Sequence, residues 1–265
     1  MKTLGKLVIF VMILALPQAG FAAGLTCWFP PSWKAKPDQA RQIAKTLSAD
    51  SGLQIRPRIA QSYPQILDAF SSDASSLVYV GSFVQAIIYA RKLGTPLAQS
   101  INGKEFYSGV MVYPKGEDPN AILKNSPTRF AYAIGASSGE SSAKAATGGQ
   151  AAIGVPNHAA ACGAVKAGKA KAAVVKNWWW QANDGKFPEL AMYELPGVSI
   201  TKNPDNVLTA SNAVSAENRE MIRKAAMNNP TVFGGKEMTE FDATSLLFSL
   251  QLMKKGNIDP LSYTW

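Results

Sequence analysis

From Leu25 onward, short apolar runs ending at Gly or Pro alternate with stretches whose apolar residues recur at helical spacing. This alternation constrains the chain most. Strand–helix–strand order builds parallel sheets with helices on their faces, joined by right-handed crossovers. Leu25–Phe29 predicts a strand, stopped by Pro30-Pro31. Ala40, Ile43, Ala44 and Leu47 recur at i, i+3, i+4 and i+7, which predicts an amphipathic helix ending before Gly52. Leu53–Ile59 alternates as a strand does, and Tyr63–Phe70 places Ile66, Leu67 and Phe70 on one helix face. Leu77-Val78-Tyr79-Val80, ending at Gly81, predicts a strand covered on both faces. A helix over Phe83–Leu93 follows. Further strands are expected at Tyr107–Tyr113, Arg129–Ile134, Ala172–Val175 and Val207–Ala210. Helices are expected from near Ser138, over His158–Ala167, after a Ser215 cap, and over Phe241–Lys254. The fold class is α/β.

The first residues stand apart from this pattern. Lys2 and Lys6 precede the apolar run Leu7–Leu16, and Gly20-Phe21-Ala22 then supplies small residues for cleavage. Ten apolar residues are too few to span a bilayer, which takes about 20. Residues 1–22 are therefore expected to be a cleaved signal peptide, and the protein periplasmic. An oxidising compartment permits a disulfide between Cys27 and Cys162, the only two cysteines. One His and two Cys make a His/Cys zinc site, which needs four ligands, almost impossible within one chain; no metal and no cofactor are expected. Hydrophobic content of 47% with 17% charged residues argues against disorder. The formal charge is +9, of which Lys2 and Lys6 carry two. The basic residues are scattered along the chain, so no nucleic-acid partner is expected.

Ala136-Ser137-Ser138-Gly139 lies between an expected strand and an expected helix. Such a turn offers unpaired N–H groups and hydroxyls to an anion, though ordinary N-capping by Ser is an equal alternative. Gly135–Gly139 also matches G-x-S-x-G, which would make Ser137 the nucleophile of a hydrolase. That chemistry needs a later acid and then a His, and the only His, His158, comes too early. Ser141-Ser142-Ala143-Lys144 matches S-x-x-K without its companions S-D-N and K-T-G. His158 follows Pro156-Asn157 and could donate to a bound oxyanion or cap its helix. Trp178-Trp179-Trp180 follows a strand end, where an α/β protein places its ligand. Three adjacent Trp cannot all face one way, so at least one is expected to pack.

Several segments, taken in order, resemble the periplasmic phosphate/phosphite/phosphonate-binding proteins, the solute receptors of ABC importers. Tyr63 opens the helix after the second strand. Leu77–Ser82 resembles that family's "D-x-A-x-x-G-P" strand end, and Tyr107–Lys115 its crossing strand. Arg129–Gly139 resembles "K-x-F-A-F-…-S-T-S-G", the loop that grips phosphonate. His158–Gly168 resembles "H-D-A-A-…-A-V-…-G-x-A-D", and Asn206 through Arg223 the return strand and helix. The resemblance covers most of the chain after residue 22.

That resemblance implies a two-lobed, type II periplasmic binding protein fold, each lobe a mostly parallel sheet flanked by helices, with two hinge crossings. Lobe one would comprise residues 23–103 and 206–265, and lobe two residues 104–205. Cys27 and Cys162 would then lie on opposite lobes as free thiols. The ligand residues would be Tyr63, Ser82, Ser137, Ser138, Gly139, His158, Lys176 and Trp178. The chain departs from the family at several points. Lys176 stands where a carboxylate helps hold the ligand's amine, Ala159 replaces an aspartate, and Ala136 removes one hydroxyl. A lysine there favours a plain oxyanion or an acidic ligand over an aminoalkylphosphonate. The expected function is capture of a small oxyanion for an ABC importer by a monomer that is not an enzyme. The expected partners are a small anionic ligand and a membrane permease or a sensor kinase. A sensory binding protein for another anion and a serine hydrolase using Ser137 are the alternatives.

Overall fold

Pro37 opens the first long helix because a helix's first N–H has no intrahelical partner to lose. Gly52, at φ 72°, closes it in the left-handed conformation that glycine adopts without strain. The computed structural model describes residues 24–135 and 139–265. The expected signal peptide, Ser137 and Ser138 lie outside the described residues.

The chain runs β1 (Leu25–Phe29), α1 (Pro37–Ser51), β2 (Ile55–Ile59), α2 (Tyr63–Ser71), β3 (Ser76–Val80), α3 (Ser82–Ala90) and β4 (Gly94–Ile101). It crosses at β5 (Phe106–Tyr107) and continues through β6 (Gly109–Pro114), α4 (Pro119–Asn125), β7 (Phe130–Ala133), α5 (Glu140–Ala146), β8 (Ile153–Val155), α6 (His158–Lys166), β9 (Ala172–Lys176), α7 (Asn177–Gln181) and β10 (Leu190–Tyr193). It returns at β11 (Asn203–Pro204), then adds β12 (Val207–Ser211), α8 (Ala216–Met227), β13 (Glu237–Thr239) and α9 (Leu247–Lys255).

Two sheets form the two lobes. One has the order β13-β4-β12-β3-β1-β2 and the other β10-β6-β9-β7-β8. The crossings β5 and β11 pair side by side as an antiparallel ribbon, Tyr107 opposite Asn203 and Phe106 opposite Pro204. The α/β two-lobed class holds, but each sheet is mixed rather than mostly parallel. β1 pairs in parallel with β2 and β3, and β7 with β8 and β9. By contrast β12 is antiparallel to β3 and β4, and β6 is antiparallel to β9. The reason is the crossing itself. The strands that arrive from the other lobe, β6 and β12, run against the crossover-built β7–β9 and β1–β3, and β13, reached from β12 through α8, keeps the direction of β12.

Side-chain alternation feeds a core on each face of each sheet. Along β3, Leu77 and Tyr79 join one core and Val78 and Val80 the other. Along β9, Ala173 and Val175 join one core and Ala172 and Val174 the other. The all-buried β3 is thus the doubly covered strand its apolar run implies. Helix α9 belongs to both lobes: Met253 packs in a core with β3 residues, Leu252 in one with β9 residues. Cys27 and Cys162 are free and buried in different cores.

Two expected elements are broken. Tyr107–Tyr113 splits at Ser108, whose backbone exchanges hydrogen bonds with Asn177 instead of a strand. The Phe241–Lys254 helix starts only at Leu247, because the Asp242 side chain accepts from Thr244 N–H and sets a short 3-10 turn first. Among the described residues no helix is long and apolar enough to cross a membrane.

Candidate functional site

The carboxyl ends of strands from both sheets face one cavity of about 230 Å³. Pro30 after β1, Gly81 after β3, Ala133 closing β7, Asn157 after β8 and Lys176 closing β9 all line it. Ligands of α/β proteins bind in this crevice, because loops and helix starts there present N–H groups left unpaired by secondary structure.

Four of the expected site residues meet at this cavity: Tyr63, His158, Lys176 and Trp178. Tyr63 opens α2 and packs against the turn at Gly135, whose φ is 67°. A side chain at Gly135 would overlap the Tyr63 ring, so glycine is required twice over. Burial raises the Tyr63 hydroxyl to about 12, which keeps it a neutral donor.

His158 is the first residue of α6. The cap itself is Asn157, whose side chain accepts from Ala160 N–H at 2.9 Å. The imidazole is thereby released from capping, and its buried Nδ1 has no partner among the described residues. Burial first, and then the charge of Lys176, push His158 down to about 3. The ring is therefore neutral near pH 7, with one N–H to donate and one nitrogen to accept.

Lys176 does not stand as a free cation. Its Nζ lies 2.6 Å from Asp205 Oδ1, with 15% and 20% of the two side chains exposed. The ammonium also sits 3.7 Å from the Trp178 ring centroid and 4.1 Å from that of Tyr107. Burial lowers the Lys176 pKa, the Asp205 carboxylate opposes that, and Lys36 adds to the lowering. The lysine is thus already paired with the Asp205 carboxylate.

The other expected residues are placed differently. Ser82 is 1% exposed and its Oγ bonds the Tyr107 hydroxyl at 2.6 Å, so it positions a cavity wall instead of forming one. Gly139 is not among the described lining residues, and a Cβ there would come within 2.8 Å of Ala133 N. Ser137 and Ser138 fall on the undescribed triplet. Of the three tryptophans, Trp178 reaches the cavity, Trp179 packs on His158, and Trp180 stacks on Phe187. Sequence reading missed Trp33, Tyr107, Asp205 and Asn206. Pro30-Pro31 was readable only as a strand stop, although the turn it starts carries Trp33. Asp205-Asn206 sits directly before β12, and that position at a crossing was the available signal. Among the described residues no group of three or more His, Cys, Asp or Glu could hold a metal.

No curated protein matches the chain in sequence. Solved structures match its fold. A phosphonate-transporter binding component from Pseudomonas aeruginosa superposes with TM-score 0.68 at 15% identity, covering 89% of this chain and 87% of its own. PhnD1 from Prochlorococcus marinus, solved with methylphosphonate, gives TM-score 0.66 at 16% identity over 89% and 98%. A Xanthomonas citri protein bound to ATP gives 0.70 at 11% over 89% and 98%. The family described as "ABC transporter, phosphonate, periplasmic substrate-binding protein" matches residues 37–240, most of the chain. With that match over two joined lobes, the chain belongs to the periplasmic substrate-binding proteins of ABC phosphonate transporters.

Proposed function

We propose that the protein captures a phosphonate or a similar small oxyanion lacking an amine, and presents it to a membrane permease. The lobes are assigned as residues 23–103 with 206–265 and residues 104–205, closing about the β5–β11 ribbon. Each sheet drawing its strands from one of these segments supports the assignment. The observation that carries the ligand reading is the pairing of Lys176 with Asp205 beside the neutral, unpartnered His158. The pair leaves no free carboxylate for a ligand ammonium, while the start of α6 and the imidazole face the cavity as donors. Methylphosphonate in PhnD1 agrees with a ligand of this kind.

Isothermal titration of the purified protein with methylphosphonate, phosphite, phosphate and 2-aminoethylphosphonate tests the reading. At least one of the first three is expected to bind, and 2-aminoethylphosphonate to bind more weakly. His158→Ala is expected to weaken the bound anion about tenfold, the scale of one lost hydrogen bond to a charged group. Heat with none of these anions, or tightest binding of the aminophosphonate, defeats the proposal.

A further inference from the structure

The cavity does not end at Lys176. A second chamber of about 270 Å³ adjoins it, and Trp33, Trp178, Asp205 and Asn206 line both. Past that shared wall the lining includes two more lysines, Lys36 and Lys104. The Lys36 ammonium lies 5.7 Å from the Trp33 ring centroid, and that of Lys104 lies 5.5 Å from the Trp178 ring centroid. Each cation therefore flanks one of the two indoles that join the chambers. Among the described residues neither lysine is in an ion pair.

The charge count around the joined chambers is uneven. Asp205 is the one carboxylate among their described lining residues, and Lys176 already holds it. Three ammonium groups thus share one acid, and the excess lies in the outer chamber, away from His158. A small oxyanion seated at the inner end leaves that excess unanswered. A longer ligand could answer it, with its body along the two indoles.

We propose that the outer chamber is a second subsite, and that the ligand class is a phosphonate carrying a distal acidic group. The phosphonate occupies the inner chamber, the connecting carbons lie along Trp33 and Trp178, and the distal acid meets Lys36 and Lys104. This rests on the anion reading of the inner chamber. It adds a requirement that methylphosphonate cannot meet.

The test compares propylphosphonate with 3-phosphonopropionate, which is of similar length but ends in a carboxylate, in titrations of the wild-type protein and of a Lys36→Met, Lys104→Met double variant. Methionine keeps an apolar stem against each indole and removes the charge. The carboxylate is expected to tighten wild-type binding about tenfold, through two charge-assisted contacts partly open to solvent. The double variant is expected to abolish that gain while binding methylphosphonate like the wild type. Equal binding of the two probes by the wild type, or a gain that survives the double substitution, overturns the subsite while methylphosphonate binding still stands. Absence of heat with every phosphonate overturns the inner reading, and the subsite with it.

Discussion

Glu140, the first residue of α5, is a carboxylate with 2% of its surface exposed, directly after the turn expected to grip an anion. An acid there would repel the ligand and would itself be costly to bury unless its oxygens were fully engaged. They are engaged by four donors. Oε2 accepts from Gly135 N–H and Trp265 Nε1–H, each at 2.8 Å, and Oε1 from the Tyr263 hydroxyl and from Lys144 Nζ at 3.2 Å. Glu140 therefore fixes the Gly135 turn and anchors the last residues of the chain on the second lobe. Glu140→Gln would turn an amide N–H₂ toward one pair of these donors and leave the Lys144 ammonium without its counter-charge. It is expected to cost about 3 kcal/mol of unfolding free energy, against about 1 kcal/mol for Tyr263→Phe, which removes one neutral donor to Glu140 and one acceptor for Lys144. Urea unfolding of the two variants checks this, and similar midpoints for both would show that the charge is not the stabilising feature.

Elements differ in how far their neighbours in sequence announce them. Helices α1, α2 and α6 were readable because their buried faces recur at helical spacing and a Gly or a cap marks an end. Strand β3 was readable because two covered faces leave room only for apolar residues. Strand β4 was missed: Gly94 and Pro96 interrupt it, and its pairing with β12 slips at Leu208/Thr209, so its order comes from neighbours far away in sequence. The site follows the same rule. His158 and Tyr63 stand at helix starts and could be found, whereas Asp205 matters only because the crossing brings it 2.6 Å from Lys176. Helix α9 also owes its role to distant contacts. Leu252 and Met253 are each fully buried, yet in cores of different lobes. Replacing either with Ala is expected to cost about 2–5 kcal/mol by leaving a cavity. Because the two cores sit on different sheets, Leu252→Ala should loosen the second lobe and Met253→Ala the first. Scanning calorimetry should resolve this as a single wild-type transition that broadens or splits in each variant, with a different lobe melting first. A uniform shift of one sharp transition in both would mean that the lobes unfold as one unit regardless of α9.

For the whole molecule, the decisive arrangement is two sheets with separate cores, joined by a short ribbon and by α9. Closure about such a ribbon requires that no disulfide lock one lobe to the other. The two cysteines bear directly on this. Cys27 sits in β1 within a first-lobe core, Cys162 in α6 within a second-lobe core, and neither is exposed. A disulfide needs Cα atoms within about 7 Å, so a bridge would have to pull residues out of both cores. Burial also raises both thiols to about 12, which leaves almost no thiolate to react near pH 7. The chain can therefore stand in an oxidising compartment with two reduced cysteines, protected by packing. A chromogenic disulfide reagent is expected to titrate no thiol in the native protein and both after denaturation. Adding methylphosphonate should change neither count if the proposed closure moves the lobes as bodies with their cores intact. Both thiols missing after denaturation would reveal a bridge, and rapid native labelling that the ligand suppresses would show that closure reaches into a core.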